Sequence, residues 1–183
     1  MKILFATGNP GKLKEVRALF ATLGHEVEQL EDDCPEIQAD TLEEVVDAAL
    51  KWLWDRHHVP IIIDDSGLFI DSLGGFPGVY SAYVLKTLGC PGILKLVDGF
   101  ENRGAEFRCC AGYVDADGRT ISRSGVSRGR IIAEMRGSEG FGFDPIFAPE
   151  GHELTFAELD LDVKNRISHR GRAFAMLVDA MKE

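Results

Sequence analysis

Long apolar runs, paired cysteines and an excess of positive charge are all missing from this chain. No stretch is apolar over membrane-spanning length, and the opening residues 1–6 read as a short strand rather than a signal peptide. There are four cysteines, at positions 34, 90, 109 and 110, and none forms a Cys-x-x-Cys pair or a zinc-ligand spacing. Reduced thiols and a cytoplasmic location are therefore expected. Cys109 and Cys110 adjoin within an expected strand, so their side chains should point to opposite faces. Twenty Lys and Arg against thirty Asp and Glu leave a net charge of −10. That balance argues against nucleic acid as a partner, since such binders need a basic face, but it leaves room for a small anionic ligand at a locally basic site. Linkers, internal repeats and low-complexity tracts are absent too. With 183 residues, 45% apolar and 27% charged, the chain fits one globular domain over 1–183, with room for two lobes.

The pattern along the chain predicts a mixed α/β architecture. Residues 2–6 form a strand, 7–12 a loop of turn residues, and a helix begins near Lys12 with Leu13, Val16, Leu19, Phe20 and Leu23 on one face. A second strand is expected at 26–30. Thr41 to Glu44 has the capping-box pattern ahead of a helix reaching about Asp55. Ile61-Ile62-Ile63 is a buried strand expected to end abruptly at Asp64-Asp65-Ser66-Gly67. A short helix is expected over 93–97. Alternation at 105–113 and the Asp115–Gly118 turn predict a hairpin whose returning strand is antiparallel, and a further strand is expected near 126–133. Thr155 to Glu158 repeats the capping-box pattern, and Ser168 is the expected N-cap of a last helix. Parallel units followed by an antiparallel excursion imply a mixed sheet.

Four clusters could carry chemistry. The adjacent carboxylates Asp64 and Asp65 read either as a Mg²⁺ site beside a general base or as a solvated strand-end turn. The loop Thr7-Gly8-Asn9-Pro10-Gly11-Lys12 offers backbone N–H groups, a helix start and a cation to an anion, or it is a plain turn; it is neither a P-loop nor a dinucleotide fingerprint. Phe141-Gly142-Phe143-Asp144 either sandwiches a nucleobase or supplies core aromatics to a turn. Lys164, Arg166, His169, Arg170 and Arg172 form the densest basic cluster. His169 and Arg170 fall in the first turn of the last helix, where cations oppose the dipole and a bound anionic or carbonyl-bearing ligand would offset the cost.

Taken together, these segments resemble the noncanonical purine nucleoside triphosphate pyrophosphatase (inosine triphosphatase) family. The resemblance rests on residues 7–12, 35–38, 64–68, 74–81, 141–145 and 168–170, which occur in family order across nearly the whole chain. It implies an elongated mixed β-sheet flanked by helices, two lobes with a central substrate cleft, and a homodimer. The implied reaction is Mg²⁺-dependent hydrolysis of ITP, dITP and XTP to the monophosphate and pyrophosphate, which cleanses the nucleotide pool. Carried over residue by residue, Asp65 is the general base, Glu36 and Asp65 hold Mg²⁺, residues 7–12 and Ser66 bind the substrate, and Lys12 with the 7–9 backbone holds its phosphates. Phe141, Gly142, Phe143 and Asp144 hold the base, and Lys164, His169 and Arg170 donate to its carbonyls. Hypoxanthine and xanthine carry an oxygen at C6 where adenine carries an amino donor, and donor facing donor costs about 1–3 kcal/mol per unpaired group.

A haloacid-dehalogenase-type phosphatase would need an Asp-x-Asp pair after the first strand, where this chain has Thr7-Gly8-Asn9. A nucleotide sensor without catalysis is the second alternative, and release of pyrophosphate from ITP separates both from the main reading.

Overall fold

The computed structural model describes residues 2–182 apart from Asp33 and Glu36. Its strands are β1 (Lys2–Ala6), β2 (Glu26–Leu30), β3 (Ile61–Ile70), β4 (Gly104–Val114), β5 (Thr120–Ile131) and β6 (Phe147–Pro149), and its helices are α1 (Pro10–Thr22), α2 (Leu42–His57), α3 (Ser81–Thr87), α4 (Gly89–Leu96), α5 (Leu161–Ile167) and α6 (His169–Ala180). The strands form one mixed sheet in the order β2-β1-β3-β4-β5-β6. β1 runs parallel to β2 and β3, whereas β3, β4, β5 and β6 are antiparallel in succession. The helix starts follow their sequence signals. Asn9 caps α1 with Pro10 in its first turn, Thr41 and Glu44 complete a capping box on α2, and Ser168 accepts from Gly171 N on α6.

β3 corrects the sequence expectation. The strand does not stop at Asp64; it continues through Asp64-Asp65-Ser66-Gly67 to Ile70. Antiparallel pairing with β4 covers every residue from Ile61 to Ile70 and outweighs the poor strand propensity of Asp, Ser and Gly. The two carboxylates are therefore mid-strand neighbours on opposite faces. On the other side of β3, the pairing with β1 includes only Ile61 and Ile62. From Asp64 onward that edge has lost its parallel partner, and a cleft opens there.

Three further differences have local causes. The returning strand and the further strand expected near 126–133 are one strand, β5, which runs from Thr120 directly after the hairpin to Ile131. The short helix α4 starts at Gly89 and takes Pro91 into its first turn. Thr155 and Glu158 form half a capping box: the Glu158 carboxylate accepts from Thr155 N, but the Thr155 hydroxyl donates to Arg136 O instead of capping, and the next helix waits until Leu161. The helix α3 and the strand β6 carried no signal in the sequence patterns.

The two faces of the sheet build the lobes. On the face of Ile62, Asp64, Ser66, Leu68 and Ile70, one core packs α1 and α6 against Phe5, Ile62, Cys109 and Ala111. Further along the same face a second core gathers Leu68, Ile70, Phe107, Ile93, Phe147 and Phe156. Asp64 and Ser66 occupy the seam between the two. The opposite face carries a third core, in which α2 covers Ile61, Ile63, Cys110 and Val114. Cys109 and Cys110 thus do point into separate cores, and both are free thiols, as is Cys90.

Gly67 makes the seam possible. A Cβ there would lie 2.2 Å from the carbonyl oxygen of Gly78, and Ser81 Oγ fastens the same segment by donating to Gly78 O and accepting from Leu68 N. Gly67→Ala is expected to lower unfolding stability by about 1–3 kcal/mol, the usual scale for overpacking. Urea denaturation measures it, and an unchanged midpoint would show that the 74–81 segment yields without cost.

Candidate active site

The seam opens into a cleft of about 710 Å³. Residues 7–12, 64–67, 141–144, His169 and Arg170 all line it, so segments more than a hundred residues apart in sequence meet at one place. Two expected residues stand apart from this gathering. Lys164 lies behind the wall rather than on it, and Glu36 falls outside the described residues.

The loop 7–12 is held rigidly before any ligand arrives. Thr7 N donates to Leu30 O, the Gln29 amide donates to Thr7 O, and Asn9 N donates to Thr7 Oγ1. Asn9 Oδ1 then accepts from Gly11 N at 2.8 Å and Lys12 N at 3.2 Å, which fixes the start of α1 facing the cleft. Lys12 Nζ donates to the carbonyl oxygen of Asp64 at 3.0 Å and lies 3.4 Å from its carboxylate. A helix terminus with an adjacent ammonium is a site suited to anions.

The two adjacent carboxylates have different surroundings. Asp64 is fully buried, and its Oδ2 accepts from Arg170 Nε at 3.0 Å and from the Cys109 thiol at 3.6 Å. Burial pushes its pKa up, but Lys12 and Arg170 outweigh burial and hold it below the usual carboxylate value. Asp64 Oδ1 is buried with no hydrogen-bond partner among the described residues. Asp65 points to the opposite face and also lines the cleft.

Behind the cleft wall lies a buried ion network that the sequence reading did not foresee. Glu15, on α1, takes Lys164 Nζ on Oε1 and Arg170 Nη1 on Oε2, each at 2.5 Å. Lys164 Nζ also reaches Asp144 Oδ2 at 2.5 Å, and Arg170 Nη2 donates to Ser66 Oγ at 2.8 Å. Burial would raise the pKa of Glu15, but Arg170 and Lys164 bring it below the ordinary value. Asp144 goes the other way: burial, helped by the nearby Glu15, outweighs Lys164 and raises it. The cations that start α6 against its dipole are therefore offset by internal carboxylates. The one sequence signal for Glu15 was its place three residues after Lys12, on the same side of α1.

Phe141 lies across this network. Its ring is 5.1 Å from Lys164 Nζ and 5.4 Å from Arg170 Cζ, and it rests on Gly11 so closely that a Cβ would meet Cδ1 at 2.3 Å. His169 is 3% exposed and stacks on Phe107 at 4.7 Å, with its Nδ1 lacking a partner among the described residues. Burial, then Arg170, Lys164 and Lys12, keep its pKa well below 6.5, so the ring is neutral. Asp32, in the segment after β2, also lines the cleft and accepts from His57 at 2.6 Å and Arg56 at 3.2 Å in the last turn of α2.

Fold and cleft define an α/β protein in which a capped helix start, a carboxylate pair and an aromatic loop over buried cations converge on one seam. The chain belongs to the Ham1 family, whose model matches residues 3–180. It is 54% identical over 183 residues to a protein of Thermococcus kodakarensis named dITP/XTP pyrophosphatase, covering 100% of this chain and 98% of that one. It is 52% identical over 182 residues to a protein of the same name from Pyrococcus horikoshii, covering 100% of this chain and 97% of that one. Among solved structures, a Ham1 protein from Coxiella burnetii superposes with a TM-score of 0.84 at 31% identity, covering 100% of this chain and 98% of that one.

A neutral buried His169 has a consequence for stability. Its unfolded form binds a proton below about 6.5 and its folded form does not, so folding stability is full above that pH and is lost as pH falls below it. The melting temperature should drop between roughly pH 7 and pH 5.5, and the drop should be shallower in His169→Gln. Parallel pH profiles for the two proteins would count against a buried neutral ring.

Proposed function

We propose that this protein hydrolyses deaminated purine nucleoside triphosphates, namely ITP, dITP and XTP, to the monophosphate and pyrophosphate. It is a hydrolase acting on acid anhydrides, and the names of its relatives across the full chain support that substrate class. The observation that carries the reading is that Asp65 shares one cleft with the α1 N-terminus, Lys12 and the Phe141 loop.

Mg²⁺ is the proposed cofactor, and the donor set fits it. Asp65 in the cleft and Asp64 Oδ1, which has no hydrogen-bond partner among the described residues, are hard oxygen donors, and Mg²⁺ characteristically takes one or two carboxylates with substrate phosphates and water completing the shell. Glu36 and Asp65 are the proposed protein ligands. When bound, the ion neutralises phosphate charge and acidifies coordinated water. The remaining steps belong to this chain's own residues. The backbone of residues 7–9 ahead of α1 and the Lys12 ammonium hold the triphosphate. Asp65 accepts the proton of the attacking water, and cleavage of the α–β anhydride releases pyrophosphate. Asp64, committed to Lys12 and Arg170, keeps those cations in place. Phe141 and Phe143 hold the purine, while Arg170 and His169 face its carbonyl oxygens. Lys164 supports the same pocket from beneath through Asp144. Guanine shares the C6 oxygen with hypoxanthine, so rejection of GTP falls on its 2-amino group.

The proposal extends to one ITPase-like unit over residues 1–183, a cytoplasmic location and a homodimer. No helix among the described residues is long and apolar enough to cross a membrane. Phe76, Tyr80 and Tyr83 present large exposed side chains on one segment, a surface that a second copy would cover.

Asp65→Asn is expected to reduce turnover of ITP by about 10² or more, the scale for losing a general base, with little change in folding. Near-normal pyrophosphate release from the folded variant would sink the assignment. Arg170→Lys should lower kcat/KM for ITP and XTP and narrow their advantage over ATP, because an ammonium cannot copy the planar fork. Kinetics with the three nucleotides decide this, and an unchanged ITP-to-ATP ratio would move discrimination elsewhere.

A further inference from the structure

Glu15 takes no part in the chemistry proposed above, yet it is buried to 3% exposure and receives two cations from the C-terminal elements. Its position on α1 matters. Lys12 and Glu15 are three residues apart on one helix, and both face the same cluster. Lys12 reaches Asp64, Asp64 accepts from Arg170, and Arg170 donates to Glu15, so the contacts close a ring that returns to α1. One rigid helix therefore carries the triphosphate-facing terminus at its start and, one turn later, the anchor of the base-facing Arg170 and of Lys164 behind it. The Asn165 side chain fastens the same turn by donating to Glu15 O at 3.2 Å.

We infer that Glu15 is a specificity-determining positioning residue, which fixes the orientation of Arg170, with Lys164 buttressing it from behind the cleft wall, and so decides which Arg170 N–H groups face the purine. This inference rests on the nucleotide reading above. A guanidinium has five N–H donors. In Arg170, Nε, one on Nη1 and one on Nη2 are bonded to Asp64, Glu15 and Ser66. The N–H groups left over can point only where those three bonds allow. A donor array fixed in this way accepts a carbonyl oxygen and meets an amino group with donor against donor. With an amide in place of the Glu15 carboxylate, a single oxygen is left to accept from Arg170 Nη1 or Lys164 Nζ, and the amide NH2 meets the other cation donor against donor. Arg170 then has room to turn away from adenine's amino group, which relieves the clash that excludes it. Phe141, which rests on these same cations and on Gly11, would lose its fixed support too.

The test uses the full chain with Mg²⁺ and compares kcat/KM for ITP, XTP and ATP in the wild type, Glu15→Gln and Glu15→Asp. Glu15→Gln should narrow the preference for ITP and XTP over ATP by about tenfold or more, and Glu15→Asp, which keeps the charge, should narrow it less. A purely structural role would lower all three nucleotides by one common factor, and that result, or wild-type ratios in both variants, would overturn the inference. If Glu15→Gln does not fold, Glu15→Asp decides alone: a narrowed ratio supports the inference and an unchanged ratio overturns it. A wild type with no preference for ITP or XTP would defeat the nucleotide reading and this inference together. A preferring wild type with unchanged variants would defeat this inference only.

Discussion

The buried charge network beneath the cleft is the constraint on which the rest of the site depends. Three carboxylates, Glu15, Asp64 and Asp144, meet three cations, Lys12, Lys164 and Arg170, across α1, β3, the 141–144 loop, α5 and α6. Ions away from water are costly unless each has a partner and its hydrogen bonds, and removing one member of a buried pair generally costs about 3–5 kcal/mol. The elements carrying these six side chains cannot drift apart without stranding a charge. The lobes are thereby tied at the seam where a substrate would lie.

The network also explains why the two adjacent aspartates can differ in role. A strand sends successive side chains to opposite faces. Asp64 is turned toward α1 and α6, where Lys12 and Arg170 keep it ionised despite complete burial. Asp65 is turned the other way, at the border of the α2 core, in reach of the cleft. Because β1 stops pairing after Ile62, the β3 edge is open beside both of them. The end of one parallel pairing thus sets where the cleft can form.

Much of the organisation was legible in the residues. The helix starts at Asn9, Thr41 and Ser168 follow from capping chemistry that acts within a few residues. The hairpin at 115–118 and the alternation of β4 are equally local. What was misread depended on distant partners. The 61–63 run looked like a strand ending at Asp64, because Asp, Ser and Gly read as a turn until β4 is laid beside them. The Thr155 pattern looked like a helix cap, because nothing nearby in sequence reveals that Arg136 O takes its hydroxyl.

The sequence by itself determined most of the element order, the mixed sheet, the family resemblance and the identity of the cleft segments, since each is encoded in short patterns of polarity, capping and turn residues. Only the tertiary structure decided how the charged groups are shared. Lys164 and Arg170 read in sequence as a basic cluster available to a ligand, but folding spends much of their hydrogen bonding on Glu15, Asp144, Asp64 and Ser66. Glu15 itself drew no attention as one more acid on an amphipathic helix. The physical reason is that burial and pairing are properties of three-dimensional neighbours. A charge well over a hundred residues away leaves no mark on local spacing, yet it fixes whether a side chain faces substrate or holds the protein together.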